Sequence, residues 1–251
     1  MRRARGAHHR RVLAAIRSAT VLGIEALPVT VEVDGAPGLP GWTMVGLPSG
    51  SVREARERVG SALVNAGFQL PPRRWTINLS PADVRKEGTA FDLPVAIGVL
   101  VASGQLGAER VRDLLFVGEL GLDGAVRPVR GALPVARAAR DSGARALVLP
   151  AANAAEASLL RDVRLAPALS LRELVGALAR GQLPEAPALV AGVTATAAPD
   201  LSEVAGQPIA KRALEIAAAG RHNLFLVGPP GAGKTMLARR LPSILPPLDD
   251  D

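Results

Sequence analysis

Residues 228–235 constrain the fold of this chain more than any other stretch. They read GPPGAGKT and fit the pattern G-x-x-x-x-G-K-[ST] at every fixed position. A phosphate-binding loop of this kind requires a strand before it and a helix after it. The apolar residues 224–227 and the helical pattern of residues 235–241 meet that requirement. The sequence therefore predicts a strand–loop–helix unit that binds the phosphates of a nucleotide.

Each fixed position of this loop has a task in nucleotide binding. The glycines let the backbone turn tightly and aim N–H groups at phosphate oxygens, and the start of the following helix adds the positive end of its dipole. Lys234 reaches the β- and γ-phosphates, and the Thr235 hydroxyl is placed to bind Mg²⁺. ATP and Mg²⁺ are therefore the expected cofactors. The predicted nucleotide-binding residues of the loop are Gly228, Pro229, Pro230, Gly231, Ala232, Gly233, Lys234, Thr235 and Met236.

Hydrolysis of ATP needs more than this loop. Such enzymes also use an acidic residue on a later strand and commonly an arginine finger. Only ten residues follow Leu241, and no further strand fits in them. The terminal Asp249, Asp250 and Asp251 favour an exposed acidic end over a metal site. We therefore identify no catalytic residue, and we expect a fragment or truncated reading frame of a longer ATPase that binds ATP without hydrolysing it.

Strand and helix patterns alternate upstream of the loop, which predicts an α/β fold with α+β character in the first domain. Predicted strands cover residues 20–26, 29–33, 42–47, 74–79, 115–118, 125–129 and 146–149. Predicted helices cover residues 49–67, 91–103, 133–142, 152–160, 171–179 and 209–219. In the helix at 49–67, Ser51 and Glu54 have the spacing of a capping box, and Gly67 provides the end.

Composition and charge divide the chain into four parts. Residues 1–11 carry five of the arginines and no acidic residue, which leaves only +2 of the net charge of +7 for the rest of the chain. We expect an unstructured basic extension there, with a nucleic-acid-binding arm as the alternative. Residues 12–180 form the first domain. Residues 181–199, rich in Pro, Gly, Ala and Thr, form a linker, and residues 200–251 begin a second domain.

Several classes of function are excluded by composition. The chain has no cysteine and three histidines, which excludes disulfides and thiol catalysis and argues against a metal centre. Its longest apolar run, residues 93–102, is too short to span a membrane, and no secretory signal is recognisable. We expect a cytoplasmic protein with no membrane partner. Aromatic residues make up 2% of the chain, so it has few platforms on which nucleic-acid bases could stack.

Ten segments make the chain resemble the YifB/ComM family of magnesium-chelatase-like AAA+ ATPases. They are VTVEV (29–33), GLPGWTMVGLP (38–48), VREARERV (52–59), INLSPAD (77–83), RKEG (85–88), FDLPVA (91–96), FVGEL (116–120), GQ (206–207), KRALEIAAA (211–219) and residues 222–248. The resemblance implies a first domain with the ribosomal-protein-S5-domain-2-like fold, shared with the Lon protease domain. It also implies an AAA+ module that begins near Asp200, with Gly206 and Gln207 beside the adenine.

The resemblance further implies a hexameric ring that acts on DNA and promotes branch migration during integration of transforming DNA. The expected partners are therefore ATP, further copies of the chain and DNA. Candidate DNA contacts in such a ring are the first-domain arginines Arg53, Arg56, Arg73 and Arg74, with an ordinary solvated surface role as the alternative for each of them. Alternatives are metal insertion of the magnesium-chelatase kind, an ATP-dependent protease, and a non-catalytic nucleotide-binding or oligomerisation fragment.

The residues at two positions of the sequence bear on the protease alternative. Lon-type proteases use a serine that a lysine activates. The serine position holds Ala90 here and the lysine position holds Leu133, so the dyad is absent. Lys86 could pair with Ser80 or Thr89 in its place, but we expect Lys86 to be a surface or turn residue.

Overall fold

The computed structural model describes residues 13–185 and 199–245. Contacts divide the chain into two units, residues 1–189 and 190–251, and this division falls inside the predicted linker. The predicted basic extension, most of that linker and the acidic end lie outside the described residues. The boundaries at 12–180, 181–199 and 200–251 therefore stay predictions.

The first unit is a mixed α/β structure, as the sequence predicts. Its strands are β1 (Ala14–Leu22), β2 (Glu25–Ala36), β3 (Gly41–Val45), β4 (Arg74–Ser80), β5 (Leu114–Phe116), β6 (Glu119–Leu120), β7 (Val126–Arg127), β8 (Ala146–Pro150) and β9 (Leu165–Ala168). Its helices are α1 (Gly50–Arg53), α2 (Ala55–Asn65), α3 (Asp92–Ala102), α4 (Ala132–Asp141), α5 (Ala154–Ala157) and α6 (Leu171–Ala179).

Seven of the strands form one sheet in the order β3-β4-β2-β1-β5-β8-β9. Strands β1, β2 and β4 pair antiparallel, whereas β3 pairs parallel to β4. On the other side, β5, β8 and β9 continue from β1 in parallel. Strands β6 and β7 form a separate antiparallel pair. The sheet therefore has β3 and β9 as its two edge strands.

Helices cover both faces of this sheet. Alternate residues of a strand point to opposite faces, so Leu114 and Phe116 join one hydrophobic cluster and Leu115 joins the other. Helices α2, α3 and α6 contribute to the first cluster, and α4 and α5 to the second. Helix α3 is buried along its whole length and lies so close to β2 that a Cβ at Gly98 would approach Val33 Cγ2 to 2.5 Å.

The predicted helix over residues 49–67 is broken, and its predicted start is wrong. Ser49, not Ser51, precedes the first turn, and no side chain caps it. The start is instead fixed by tertiary contact, because the Ser49 N–H donates to the carbonyl oxygen of Lys86 at 3.0 Å. The chain breaks at Glu54 and resumes as α2. The predicted end is confirmed, since Gly67 follows α2 with a φ of 85°.

The second unit holds two helices and two short 3-10 turns in its described residues. These are α7 (Pro208–Gly220), α8 (Lys234–Ala238), Leu201–Glu203 and Leu241–Ile244. Four buried side chains form its small core: Leu201, Val204, Leu214 and Leu237. The helix predicted at 235–241 is shorter than expected, because α8 ends at Ala238. Pro242 lies in the 3-10 turn that follows it.

The strand predicted at residues 224–227 is wrong in the described structure. Those residues make no strand pairing, and no strand lies within the described part of the second unit with which they could pair. A strand requires a hydrogen-bonded neighbour, so the apolar pattern alone does not produce one. Leu226 packs against the small core, whereas Phe225 and Val227 are 88% and 81% exposed.

Candidate functional site

The loop at residues 228–235 folds as a turn that leaves several backbone donors open. Gly231 and Gly233 adopt φ values of 83° and 78°, a region that side chains other than glycine rarely occupy. Ala232 donates its N–H to the carbonyl oxygen of Pro229 at 3.3 Å. The N–H groups of Gly231, Gly233 and Lys234 donate to no residue that the structure describes. The loop therefore offers a group of unsatisfied N–H donors to an anion.

Lys234 reaches back across this loop. Its Nζ donates to the carbonyl oxygens of Gly228 at 2.7 Å and Pro229 at 2.8 Å. Lys234 is half-buried and begins helix α8, and Gly233 precedes it in the left-handed region. The ammonium group is therefore held at the first two residues of the loop.

Two neighbouring residues complete the predicted site. Thr235 is exposed, and its hydroxyl makes no hydrogen bond with the described residues. Met236 is 37% exposed. Helix α8 is only five residues long. Its dipole therefore contributes less to anion binding than that of a longer helix would.

Gln207, which lies far from the loop in sequence, is brought to it by the fold. Gly206 and Gln207 have φ values of 67° and 54° and lead directly into α7. A Cβ built at Gly233 would lie 3.1 Å from Nε2 of Gln207. Nothing lies within 4 Å of a Cβ at Gly206. The two predicted parts of the nucleotide site are thus adjacent at Gln207 and Gly233.

Arg240 connects the two sides of this site, and sequence reasoning missed it. Its Nη2 lies 3.0 Å from Oε2 of Glu203, and its Nε donates to the carbonyl oxygen of Asp200 at 3.0 Å. A third bond runs from Nη1 to the carbonyl oxygen of Met236 at 3.1 Å. Arg240 therefore fixes the segment before α7 against the end of α8. An arginine in a helical pattern gives no sequence signal for such a role.

The first unit shows no protease dyad at the positions predicted to hold it. Lys86 is fully buried, so its predicted place on the surface is wrong. Its ammonium donates to the carbonyl oxygen of Pro81. Burial lowers the pKa of Lys86, and the negative charge of Asp83 offsets part of that decrease. The Thr89 hydroxyl donates to the carboxylate of Glu119, not to Lys86.

Residues 13–185 and 199–245 lack two further features. Nowhere in these ranges do three or more His, Asp or Glu side chains come together as a metal site would require. Nor does either range contain a helix with the length and apolar character needed to cross a membrane.

Comparison with known families assigns both units to one group. The family model described as subunit ChlI of Mg-chelatase matches residues 31–153. A second model, described as magnesium chelatase, subunit ChlI, matches residues 200–251 and so includes the loop. Each unit therefore contains a segment that is similar to the magnesium-chelatase subunit ChlI.

Two relatives identify the family within this class of proteins. The chain is 47% identical to competence protein ComM of Haemophilus influenzae over 243 residues, covering 95% of the chain and 48% of that protein. It is 46% identical to the protein YifB of Salmonella typhimurium over 239 residues, covering 95% of the chain and 47% of that protein. The chain belongs to the YifB/ComM family. It spans about half the length of these relatives.

A weaker similarity accompanies the fold of the first unit. Lon protease 2 of Bacillus subtilis is 24% identical over 144 residues, covering 54% of the chain and 26% of that protein. The mixed α/β sheet agrees with the Lon-like fold that the sequence resemblance implies. The similarity concerns the fold, since the dyad positions hold Ala90 and Leu133.

Proposed function

We propose that residues 228–236 bind ATP and Mg²⁺, as the nucleotide-binding part of an AAA+ ATPase that acts on DNA. The observation that carries this proposal is the position of Lys234, whose ammonium crosses a loop with three open N–H donors. A cation and several open N–H groups within one short loop are the groups that a bound polyphosphate requires.

The residues present fit ATP with Mg²⁺. Lys234 can exchange its bonds to the loop carbonyls for charge-assisted bonds to the β- and γ-phosphates. The free hydroxyl of Thr235 is available as a magnesium ligand, and the metal would neutralise charge on the phosphate oxygens. Gly231 and Gly233 have positive φ values, which favour glycine, and they present no side chain to the phosphates.

The base is expected on the side of Gly206 and Gln207. Gln207 carries an amide that can both donate and accept hydrogen bonds, and it lies beside Gly233. The open space at Gly206 allows a planar ring to approach the backbone. Arg240 supports this side by holding residues Asp200 and Glu203 in place.

The proposals of action on DNA and of ring assembly rest on membership of the family. ComM is named a competence protein, and the corresponding proposal for this chain is DNA branch migration by a hexameric ring. Because the chain spans about half the length of its relatives, hydrolysis and translocation are proposals for the complete protein. A cytoplasmic location stays a prediction.

A thermal-shift experiment tests the nucleotide proposal. ATP should raise the melting temperature of the full chain in the presence of Mg²⁺, since a ligand that binds only the folded state stabilises it. The shift should shrink when EDTA removes the metal, and AMP, which lacks the β- and γ-phosphates, should give little shift. Equal shifts with ATP and AMP would contradict binding through Lys234.

A further inference from the structure

A cavity of about 630 Å³ lies in the first unit beside the edge strand β3. Helix α2 and the chain segment that leads into β4 form its walls, together with three prolines. Two tryptophans, Trp42 and Trp75, and two arginines, Arg56 and Arg73, are among the residues that line the cavity. Its volume falls in the range typical of small-molecule sites. The site differs from the loop at Lys234 in every residue.

The two tryptophans have different roles in this cavity. They are direct partners on the parallel strands β3 and β4, with ring centroids 6.4 Å apart and an interplanar angle of 44°. Trp75 is 1% exposed and is part of the core, whereas Trp42 is half-buried on the edge strand. Trp42 also lines a second cavity of about 220 Å³, which it shares with Arg53 and Arg56. Its indole therefore borders open space in both cavities.

The charged groups around Trp42 are mainly cationic and weakly engaged. The Arg53 backbone N–H donates to the carbonyl oxygen of Ser49, but its guanidinium makes no hydrogen bond or ion pair with any residue that the structure describes. Arg56 pairs with Glu57 at 3.3 Å, and these side chains are 54% and 79% exposed, so the pair contributes little stability. Arg73 donates from Nη1 to the carbonyl oxygen of Gly35 at 3.3 Å and retains further N–H groups. An anion can therefore compete for these arginines.

We propose that this cavity binds an unpaired nucleotide of single-stranded DNA. The base would stack on Trp42, and its flanking phosphates would bind Arg56 and Arg53. An aromatic platform bordered by arginines is the chemistry that single-stranded nucleic acid requires. Several arginines spaced along the two cavities fit successive phosphates of a strand better than the single phosphate of a free mononucleotide. The inference rests on the proposed action on DNA, but not on ATP binding at Lys234.

Intrinsic fluorescence tests this inference directly, because Trp42 and Trp75 are the only tryptophans and the chain has no tyrosine. The full chain is titrated with a single-stranded thymidine oligonucleotide, with a duplex and with thymidine monophosphate. We expect quenching by the single strand, and no comparable quenching by the duplex, whose bases are already stacked. The mononucleotide should quench only at a much higher concentration. Stronger quenching by the mononucleotide than by the strand would overturn the choice of ligand.

Substitutions of Trp42 test whether its indole is the surface on which the base stacks. Trp42→Leu should weaken binding of a labelled single strand between about fivefold and about a hundredfold, the range found for loss of one stacked base. Trp42→Phe retains an aromatic ring and should keep most of the affinity. An unchanged melting temperature of both variants shows that the fold is intact. Equal affinity of the wild type and Trp42→Leu would overturn the inference.

A matched pair of arginine variants tests the charge. Arg56→Gln should weaken binding and reduce the slope of log affinity against log salt by about 0.7, the value for one phosphate contact on a single strand. Arg112→Gln removes the same charge from an exposed position of the first unit that lines neither cavity, and should change the slope little. Equal effects of the two variants would overturn the proposed phosphate contacts.

The outcomes separate this inference from the proposed function. If the chain binds DNA without fluorescence quenching, and Trp42→Leu has no effect, the cavity is not the site and the action on DNA still stands. If no form of the chain binds any DNA, both fail. Binding of ATP at Lys234 is measured independently in either case.

Discussion

The guanidinium of Arg58 holds the carboxylate of Asp92 through two hydrogen bonds and so joins helix α2 to the first turn of α3. Nε lies 2.7 Å from Oδ2, and Nη2 lies 3.0 Å from Oδ1. Asp92 is fully buried, and the Leu120 N–H also donates to its Oδ2 at 3.3 Å. Burial raises the pKa of Asp92 above its ordinary value, and Arg58 opposes that rise. This pair is the principal polar connection between the two helices.

Arg58→Ala should destabilise the first unit by about 3 kcal/mol. The substitution leaves a buried carboxylate without its partner, and breaking a buried ion pair costs about 3–5 kcal/mol. The lower end applies because the Arg58 side chain is 20% exposed. Urea unfolding followed by circular dichroism gives the value. Arg137→Ala is the matched control, since Arg137 pairs with Asp141 on α4 with both side chains more than half exposed. The control should change stability by less than about 1 kcal/mol.

The same variant should show a characteristic pH dependence. Without Arg58, the pKa of Asp92 rises further above its ordinary value, because burial is no longer opposed. A carboxyl with a raised folded-state pKa costs stability as the pH rises from the unfolded-state to the folded-state pKa. The destabilisation should therefore be larger at neutral pH than at acidic pH. A penalty that is independent of pH would contradict an unpaired carboxylate as its cause.

Lys86 should make the first unit more stable at alkaline pH. Burial lowers the pKa of Lys86 from its ordinary value of 10.5, so the unfolded chain binds more protons between the lowered value and 10.5. Stability therefore rises with pH across that interval. The difference in unfolding free energy between the wild type and Lys86→Met should change in favour of the wild type as the pH rises. Lys211→Met, in the second unit, should leave this dependence unchanged. A difference that stays constant with pH would contradict the lowered pKa.

The chain should have no protease activity. Ala90 and Leu133 occupy the dyad positions, and neither side chain can attack a carbonyl or accept a proton. The Lys86 ammonium donates to the carbonyl oxygen of Pro81, and the Thr89 hydroxyl donates to Glu119. These two residues are therefore not paired with each other and do not replace the dyad. Casein and peptide substrates should remain intact with or without ATP. Cleavage that survives purification and disappears in Lys86→Met would show that the dyad lies elsewhere.

Local periodicity predicted most of the helices. Helix α6 has the predicted bounds, and α4 differs from its prediction by one residue at each end. Both helices have one apolar face on the sheet and one polar face, so their sequences carry a clear helical period. The glycine-rich loop was equally predictable from the sequence, because its chemistry depends on fixed positions within eight residues.

Features that depend on distant partners were not predictable. Strand β9 contains Pro167 and is an edge strand that only its pairing with β8 defines, so its short sequence gives little signal. The burial of Lys86 depends on a carbonyl oxygen at Pro81 that the loop presents only after folding. The helix start at Ser49 likewise depends on the bond between Ser49 and Lys86, which joins residues far apart in sequence.

The most direct test of the account is calorimetric titration of the full chain with ATP and Mg²⁺. Lys234→Ala removes a charge-assisted phosphate contact worth about 1.5–3 kcal/mol, so its affinity should fall by between about tenfold and about a hundredfold. Lys211→Ala removes the same charge from α7, at a position outside the predicted nucleotide-binding residues, and should bind ATP as the wild type does. Equal affinity of Lys234→Ala and the wild type, or equal losses in both variants, would contradict a nucleotide site at this loop.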